Sequence, residues 1–448
     1  LDDATALLDE HRGADEQEHG TQDDGGCDRD AHRKPTRNAT RSRRIDSLGS
    51  SALPQSGNHG DVPTSDSSLP TGPDEHLTRV VLDAAAAAGI DHVGVADADP
   101  FNATREILEK RKADGLHGGM QFTYRNPERS TDPGRSLVGA RSLVAAAWRY
   151  AERGATPSDD GASTAPVGTV ARYARVDAYR PLRRALGEVA AALRSSGHRA
   201  LVFADDNSMV DRSVAIRAGL GWSGRNTNVL LPGEGSWFVL GSVVTDAWLV
   251  PAPGPVDDGC GTCRRCLDGC PTGALVAPGV LDARRCLAWL VQVPGSFPRP
   301  YRAALGGHLY GCDDCQEVCP PNQRVGGRRV LSPTRPGLLD LWWLLESGDE
   351  QVLAEVGHWY IPERDLRIVR RNALVTLGNA GGPAIDTPAA RERTERVLAR
   401  YLRDDDLLAE HAAWAALRLG LGHLLDLPGV AGRTVVAAEL RCWEDDRP

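Results

Sequence analysis

Apolar residues recur at helical spacing through Leu77, Val80, Val81 and Ala84, so residues 76–88 predict a helix, with Gly89 suited to its C-cap. Residues 92–96 form a short apolar run and predict a buried strand, and 102–113 return to a helical pattern. An apolar run over 142–148, bounded by charges, predicts a second strand. Residues 181–196 are amphipathic, with Pro181 in the first turn and Gly197 past the end, and predict a helix. A third strand is expected over 200–204, a helix over 209–218 and further strand over 237–245. Strands alternating with helices imply an α/β domain over about 76–250. In such sheets sites gather at strand carboxyl ends, where Asp205 and Asp206 fall. Towards the C-terminus the pattern becomes helical, over 338–345, 366–379, 391–403 and 406–420. Helices of similar length at a spacing of roughly 20–25 residues suggest helix-pair repeats of the HEAT type.

Four parts follow from this pattern: a disordered tail over 1–73, an α/β domain over 74–250, a cysteine-rich domain over 251–330 and a helical domain over 331–448. The tail is acidic at first, basic from Arg33 to Arg44, then rich in Ser, Gly and Pro, and lacks the apolar surface to offset chain entropy. Residues 152–166 read as a polar loop insertion, and Arg328-Arg329 with two prolines as a linker. At 448 residues the chain can bury substantial cores. No apolar run is long enough to span a membrane. A formal net charge of −9 excludes a globally basic nucleic-acid binder, though a local patch remains open to RNA. Arg364, Arg367, Arg370 and Arg371 lie along one predicted helix start; a solvated face and an RNA-backbone patch are both readings of them.

Eight of the ten cysteines fall between residues 260 and 319. Cys260, Cys263, Cys266 and Cys270-Pro271 follow the bacterial ferredoxin spacing, in which three thiolates bind one cubane and the fourth crosses to a second. Cys286 and the run Cys312, Cys315, Cys319-Pro320 supply the return. Crossing then assigns Cys260, Cys263, Cys266 and Cys319 to one 4Fe–4S cluster, and Cys270, Cys286, Cys312 and Cys315 to the other. Paired C-x2-C units also suit structural zinc, but two C-x3-C-P endings are a poor zinc pattern. A disulfide framework needs an oxidising compartment, and no apolar signal segment opens this sequence, so a cytoplasmic protein is expected. Cys27 and Cys442 belong to no motif.

Taken together, these residues resemble the epoxyqueuosine reductase family, over about 76–440. The most specific portions are Leu281-Asp282-Ala283-Arg284-Arg285-Cys286 and Leu309-Tyr310-Gly311-Cys312-Asp313-Asp314-Cys315-Gln316. Val210-Asp211-Arg212, with Gly221-Trp222-Ser223-Gly224-Arg225-Asn226, is similar to the family's loop beside cobalamin. Arg371-Asn372-Ala373 and Leu377-Gly378-Asn379 resemble its C-terminal helical repeat. The resemblance implies two 4Fe–4S clusters and cobalamin as cofactors, Arg129, Arg212 and Asn226 as cobalamin contacts, and Asp205, six residues before the Asp211-Arg212 pair, as proton donor. Three departures stand out. Asp206, Asn207 and Ser208 replace a small residue and a proline, Asp177-Ala178-Tyr179-Arg180 replaces an Asp-Tyr-His run, and Arg225 replaces a frequent lysine. Asp206 is also suited to a helix cap.

The implied reaction reduces epoxyqueuosine to queuosine at the wobble position of tRNA. Electrons would pass singly from an external low-potential donor through the clusters to cobalt, while a carboxyl group of raised pKa protonates the departing oxygen. The expected partners are a tRNA anticodon stem-loop and the donor, with no membrane and a monomeric enzyme. Two alternatives stay open: a related corrinoid and iron–sulfur reductase acting on another substrate, as in reductive dehalogenation, and a non-catalytic ferredoxin-type electron carrier. The α/β part argues against the carrier, and a helical tail against a small substrate.

Overall fold

The computed structural model describes residues 72–150, 165–324 and 337–445. The tail, the 152–166 insertion but for its last two residues, and the arginine–proline linker lie outside them.

Four strands make the main sheet: β1 (His92–Asp97), β2 (Ser142–Arg149), β4 (Ala200–Phe203) and β5 (Phe238–Thr245), in the order β1-β2-β5-β4. β3 (Val167–Val170) belongs to a second sheet. Every pairing in the main sheet is antiparallel, for example Ala145 opposite both Gly94 and Ser242. The alternation of strands and helices therefore does not build a parallel sheet here. β2 is buried along its whole length because helices cover both faces. Val144, Ala146 and Trp148 face a core with α1 (Glu75–Ala87) and α3 (Tyr179–Ser195). Leu143, Ala145 and Ala147 face another core with Leu108 of α2 (Asn102–Ala113) and Val214 of α4 (Asp211–Arg217). Small residues at the sheet centre allow this double cover. A Cβ on Gly94 would stand 2.2 Å from the Ala218 carbonyl oxygen, so the close approach of α4's end requires glycine.

The second sheet was not legible as such. β3 pairs in parallel with β6 (His308–Tyr310) and antiparallel with β7 (Leu338–Asp340). It thereby joins a segment ahead of α3 to the cysteine-rich region and to the helices beyond. One core is continuous across that junction, from Val170 and Leu287 through Leu309 and Leu341 to Val436.

The later helices begin where side chains cap them: Asp365 accepts from the Arg367 N–H, Thr387 from Ala390 and Asp405 from Leu408. Leu366–Ala380, Pro388–Tyr401 and Asp406–Arg418 follow these caps, and Thr434–Asp445 comes last. The cations read from sequence as an RNA patch are otherwise engaged. Arg371 is fully buried and donates to the carbonyls of Leu290, Val293 and Gly295. Arg370 pairs with Asp349 and donates to the Ser347 carbonyl, Arg367 pairs with Asp365, and Arg364 donates to Gly357. Arg371 is thus a core residue that ties the cysteine region to the helices. Among the described residues, no helix is long and apolar enough to cross a membrane.

Candidate active site

The eight cysteines fall into two neighbourhoods. Burial raises the Cys266 thiol, with Cys260 and Cys263 adding to the lift. Cys319 is pushed up to about 11 by burial, and again Cys260, Cys266 and Cys263 are the thiols that act on it. Cys315 is raised by burial, then by Cys286 and Cys270; Cys312 by burial, with Cys315 and Cys286 contributing. These are the two sets that the crossing pattern assigns. Cys266 also acts on Cys315, so the sets are adjacent. The donor chemistry suits iron–sulfur clusters: two groups of four thiols, with N–H groups aimed at sulfur. Ala274 N–H donates to Cys270 Sγ at 3.2 Å and the Trp222 indole to Cys260 Sγ at 3.4 Å. Protons on the raised thiols would be displaced on cluster binding.

The loop after Gly221 links both sets to the main sheet. Trp222 packs against the backbone of Gly259, where a Cβ would meet its ring at 2.7 Å. Arg225 donates to the Gly261 carbonyl. Asn226 is buried; its Nδ2 reaches the Cys315 carbonyl at 3.4 Å and its Oδ1 accepts from Asn228 N–H. Asn226, read from sequence as a cobalamin contact, therefore holds the inner cysteine loop in this structure.

Asp205 lies just past β4, with φ at +56°, a left-handed conformation that few non-glycine residues adopt. Three side chains define the loop around it. Arg183 of α3 donates from Nε and Nη2 to the Ala204 carbonyl at 3.2 and 2.9 Å. Asp206 accepts from the Ser208 N–H at 2.7 Å, an Asx turn. The Asp211 carboxyl is buried close to the Asp205 backbone. Burial against the loop raises the Asp205 carboxyl; Arg183 opposes, and Asp206 and Asp177 add to the lift. Its side chain is nevertheless exposed, which limits the effect and leaves it open to a substrate. Asp211 is raised much further, by burial and then by Asp205 and Asp206, and its Oδ1 is buried without a hydrogen-bond partner.

Two tyrosines that the sequence motifs include, but to which no role was given, complete this face. The Tyr179 phenol is half-buried and raised by burial, with Asp205 and Asp211 adding. Tyr310, two residues before Cys312, also feels Asp205; its hydroxyl donates to the Tyr360 carbonyl at 2.8 Å and its ring stacks on Trp359. Arg212 is exposed and acts on Cys286. The links towards the inner set are thus Asp205 acting on Tyr310 and Arg212 acting on Cys286. Arg129 is exposed in a segment whose Tyr124 packs on the same core as Met209 and Val210. Among the described residues neither Arg129 nor Arg212 forms an ion pair.

A mixed helix and sheet fold carrying eight free cysteines in ferredoxin spacing defines an iron–sulfur protein. Residues 259–322 match the 4Fe-4S double cluster binding domain. The chain is 32% identical to the epoxyqueuosine reductase of Vibrio cholerae over 366 residues, covering 76% of this chain and 91% of that protein. It is 34% identical to that of Staphylococcus aureus over 315 residues, 68% of this chain and 80% of that one. The chain belongs to the epoxyqueuosine reductase family. Its fold matches an epoxyqueuosine reductase solved with an epoxyqueuosine-modified tRNA-Tyr stem loop, with a TM-score of 0.74 and 27% identity over 82% of this chain and 99% of that one. It also matches the Bacillus subtilis enzyme solved with an aspartate-bearing catalytic loop swung out of the active site, with a TM-score of 0.73 and 27% identity over 82% and 98% of the chains.

Proposed function

We propose that this enzyme reduces epoxyqueuosine to queuosine in tRNA, with Asp205 as the proton donor. What supports the reading is membership of this family, together with Asp205 acting on Tyr310 and Arg212 acting on Cys286. In this proposal Cys260, Cys263, Cys266 and Cys319 hold an outer 4Fe–4S cluster, and Cys270, Cys286, Cys312 and Cys315 an inner one. Arg129 and Arg212 would hold cobalamin, with Asn226 acting on it through the Cys315 loop. When bound, the clusters and cobalamin supply single electrons and a strongly reducing cobalt.

The remaining work belongs to the chain. Removing the epoxide oxygen as water takes two electrons and two protons. The departing oxygen becomes strongly basic, and a protonated carboxyl within reach removes that barrier. Asp205 suits this role because burial and Asp206 favour its neutral form, while exposure lets it meet substrate. Asp211, buried close to the Asp205 backbone, would brace the donor's loop. Residues 74–250 would form the cobalamin-binding part, 251–330 the cluster part and 331–448 a HEAT-like helical domain that braces it. With tRNA as substrate, the reaction belongs in the cytoplasm, and a monomer would suffice.

The test is direct. Anaerobically purified protein showing both cluster and corrinoid absorbance, given a reductant and an epoxyqueuosine stem-loop, should yield the stem-loop lighter by one oxygen. No mass change with both cofactors visible would overturn the proposal.

A further inference from the structure

The outer and inner cysteine sets meet solvent differently. All four outer thiols, Cys260, Cys263, Cys266 and Cys319, line a cavity of about 240 Å³, and Cys260 and Cys263 also line an adjoining open cavity of about 670 Å³. No inner cysteine lines either cavity. Trp222 covers the outer set from the protein side, leaving the opposite side open. Across these two cavities the charged lining residues are Arg225, Arg264 and Arg265, and no acid lines them, on a chain whose formal net charge is −9. Two acids neighbour this rim without lining it: Asp268 forms a long, exposed ion pair with Arg264 at 3.9 Å, and Asp258 turns its carboxylate onto the Cys260 N–H.

We propose that this arginine-rimmed opening over the outer cysteine set is the docking face for a small acidic one-electron carrier protein. The inference rests on the function proposed above, which needs electrons but leaves their port of entry unassigned. Electron transfer requires close approach, and the open cavity bordered by Cys260 and Cys263 gives a partner a surface beside the outer set. An acidic partner is selected because a cationic rim in a negatively charged molecule attracts acids locally and orients the encounter. The face is small, as suits a transient redox complex. Each docking oxidises the carrier by one electron and reduces the outer cluster by one. Two dockings supply the two electrons which, with two protons, release one epoxide oxygen as water.

The experiment mixes holoenzyme with photoreduced flavodoxin, an acidic one-electron carrier, and follows bleaching of the cluster absorbance in stopped flow. In wild type the rate should fall as salt is added. Arg264→Glu with Arg265→Glu should lower it by about tenfold or more at low ionic strength, with the gap closing at high salt. Reduction by dithionite and affinity for an epoxyqueuosine stem-loop should be unchanged. Should the double variant lose its clusters, as a missing dithionite bleach would report, Arg264→Gln takes its place and should slow flavodoxin reduction by a smaller factor. A flavodoxin rate independent of salt in wild type, or equal in wild type and variant, overturns the proposal. So does loss of stem-loop affinity with the flavodoxin rate intact, which would make the opening an RNA contact. Because dithionite bypasses docking, stem-loop conversion under dithionite separates failure of the port from failure of the reductase reading.

Discussion

Replacing Arg371 by Met separates the two readings of the C-terminal arginines. The guanidinium is fully buried and makes five hydrogen bonds: to Val293 O at 2.7 Å, Gly295 O at 2.6 Å, Leu290 O at 2.9 Å, and twice to Asn372 Oδ1 at 3.1 and 2.8 Å. Methionine fills much of the volume but donates nothing, leaving three backbone carbonyls without their donor. Each such loss costs about 1–3 kcal/mol. Relief of the buried charge offsets part of the sum, so a net destabilisation of about 3 kcal/mol is expected. Burial pushes the Arg371 pKa down to about 9, with Arg302 adding and Glu410 opposing, so it is still charged at neutral pH. Its folded value lies below its unfolded one, so the native state sheds this proton first, and its cost eases only above about pH 9. The loss in Arg371→Met should therefore be flat between pH 6 and 8. With a urea slope near the top of the usual range, the midpoint should drop by roughly 1 M. An unchanged midpoint together with weaker stem-loop binding would refute the core assignment and restore the RNA patch.

Cys286→Ala should remove the inner cluster and leave the outer one's signal in electron paramagnetic resonance; loss of both, or of neither, would contradict the two sets. Trp222→Phe removes the N–H donor to Cys260 Sγ while keeping an aromatic cover, so the outer cluster's midpoint potential should fall and the inner one's should hold in a redox titration. Asp211→Asn keeps the shape of the side chain but cannot ionise. Asp211's folded pKa is raised above its unfolded value, so the native state holds this proton longer and the wild type loses stability as pH rises. The variant's melting temperature should gain on wild type from pH 5 to pH 8, and a constant difference would show that Asp211 is not the buried neutral acid described.

Local pattern carried much of this molecule into the sequence. The cysteine spacing offered a division of eight thiols into two sets, because ligand spacing is a local property of short turns. The helix over residues 102–113 and the cap-bounded helices after Asp365 were legible for the same reason. Long-range pairing was not. β3 is four residues long, and its partners lie over 130 residues away, so nothing near Val167 announces them. The strand directions were hidden likewise: residues 142–149 read as a buried strand in either a parallel or an antiparallel sheet. Arg371 follows the same logic, since its charge suggests a surface and only the three carbonyls gathered from residues 290–295 explain its burial. Tyr179 and Asp211 gain their meaning from Asp205, across a loop whose left-handed turn no nearby glycine betrays.

The central claim is tested most directly by comparing Asp205→Asn with Asp206→Asn in single-turnover conversion of an epoxyqueuosine stem-loop, with cluster and corrinoid absorbance recorded for each. Asparagine keeps the shape of the donor but cannot deliver a proton, and loss of a general acid commonly costs about 10²–10⁴ in rate. Asp205→Asn should therefore slow conversion by about that factor with both cofactors intact, while Asp206→Asn, which loses only part of its Asx turn and its charge beside Asp205, should matter far less. In wild type the rate should fall as pH rises through the raised Asp205 value, and Asp205→Asn should lose that dependence. Full activity in Asp205→Asn with loss only in Asp206→Asn would contradict the account.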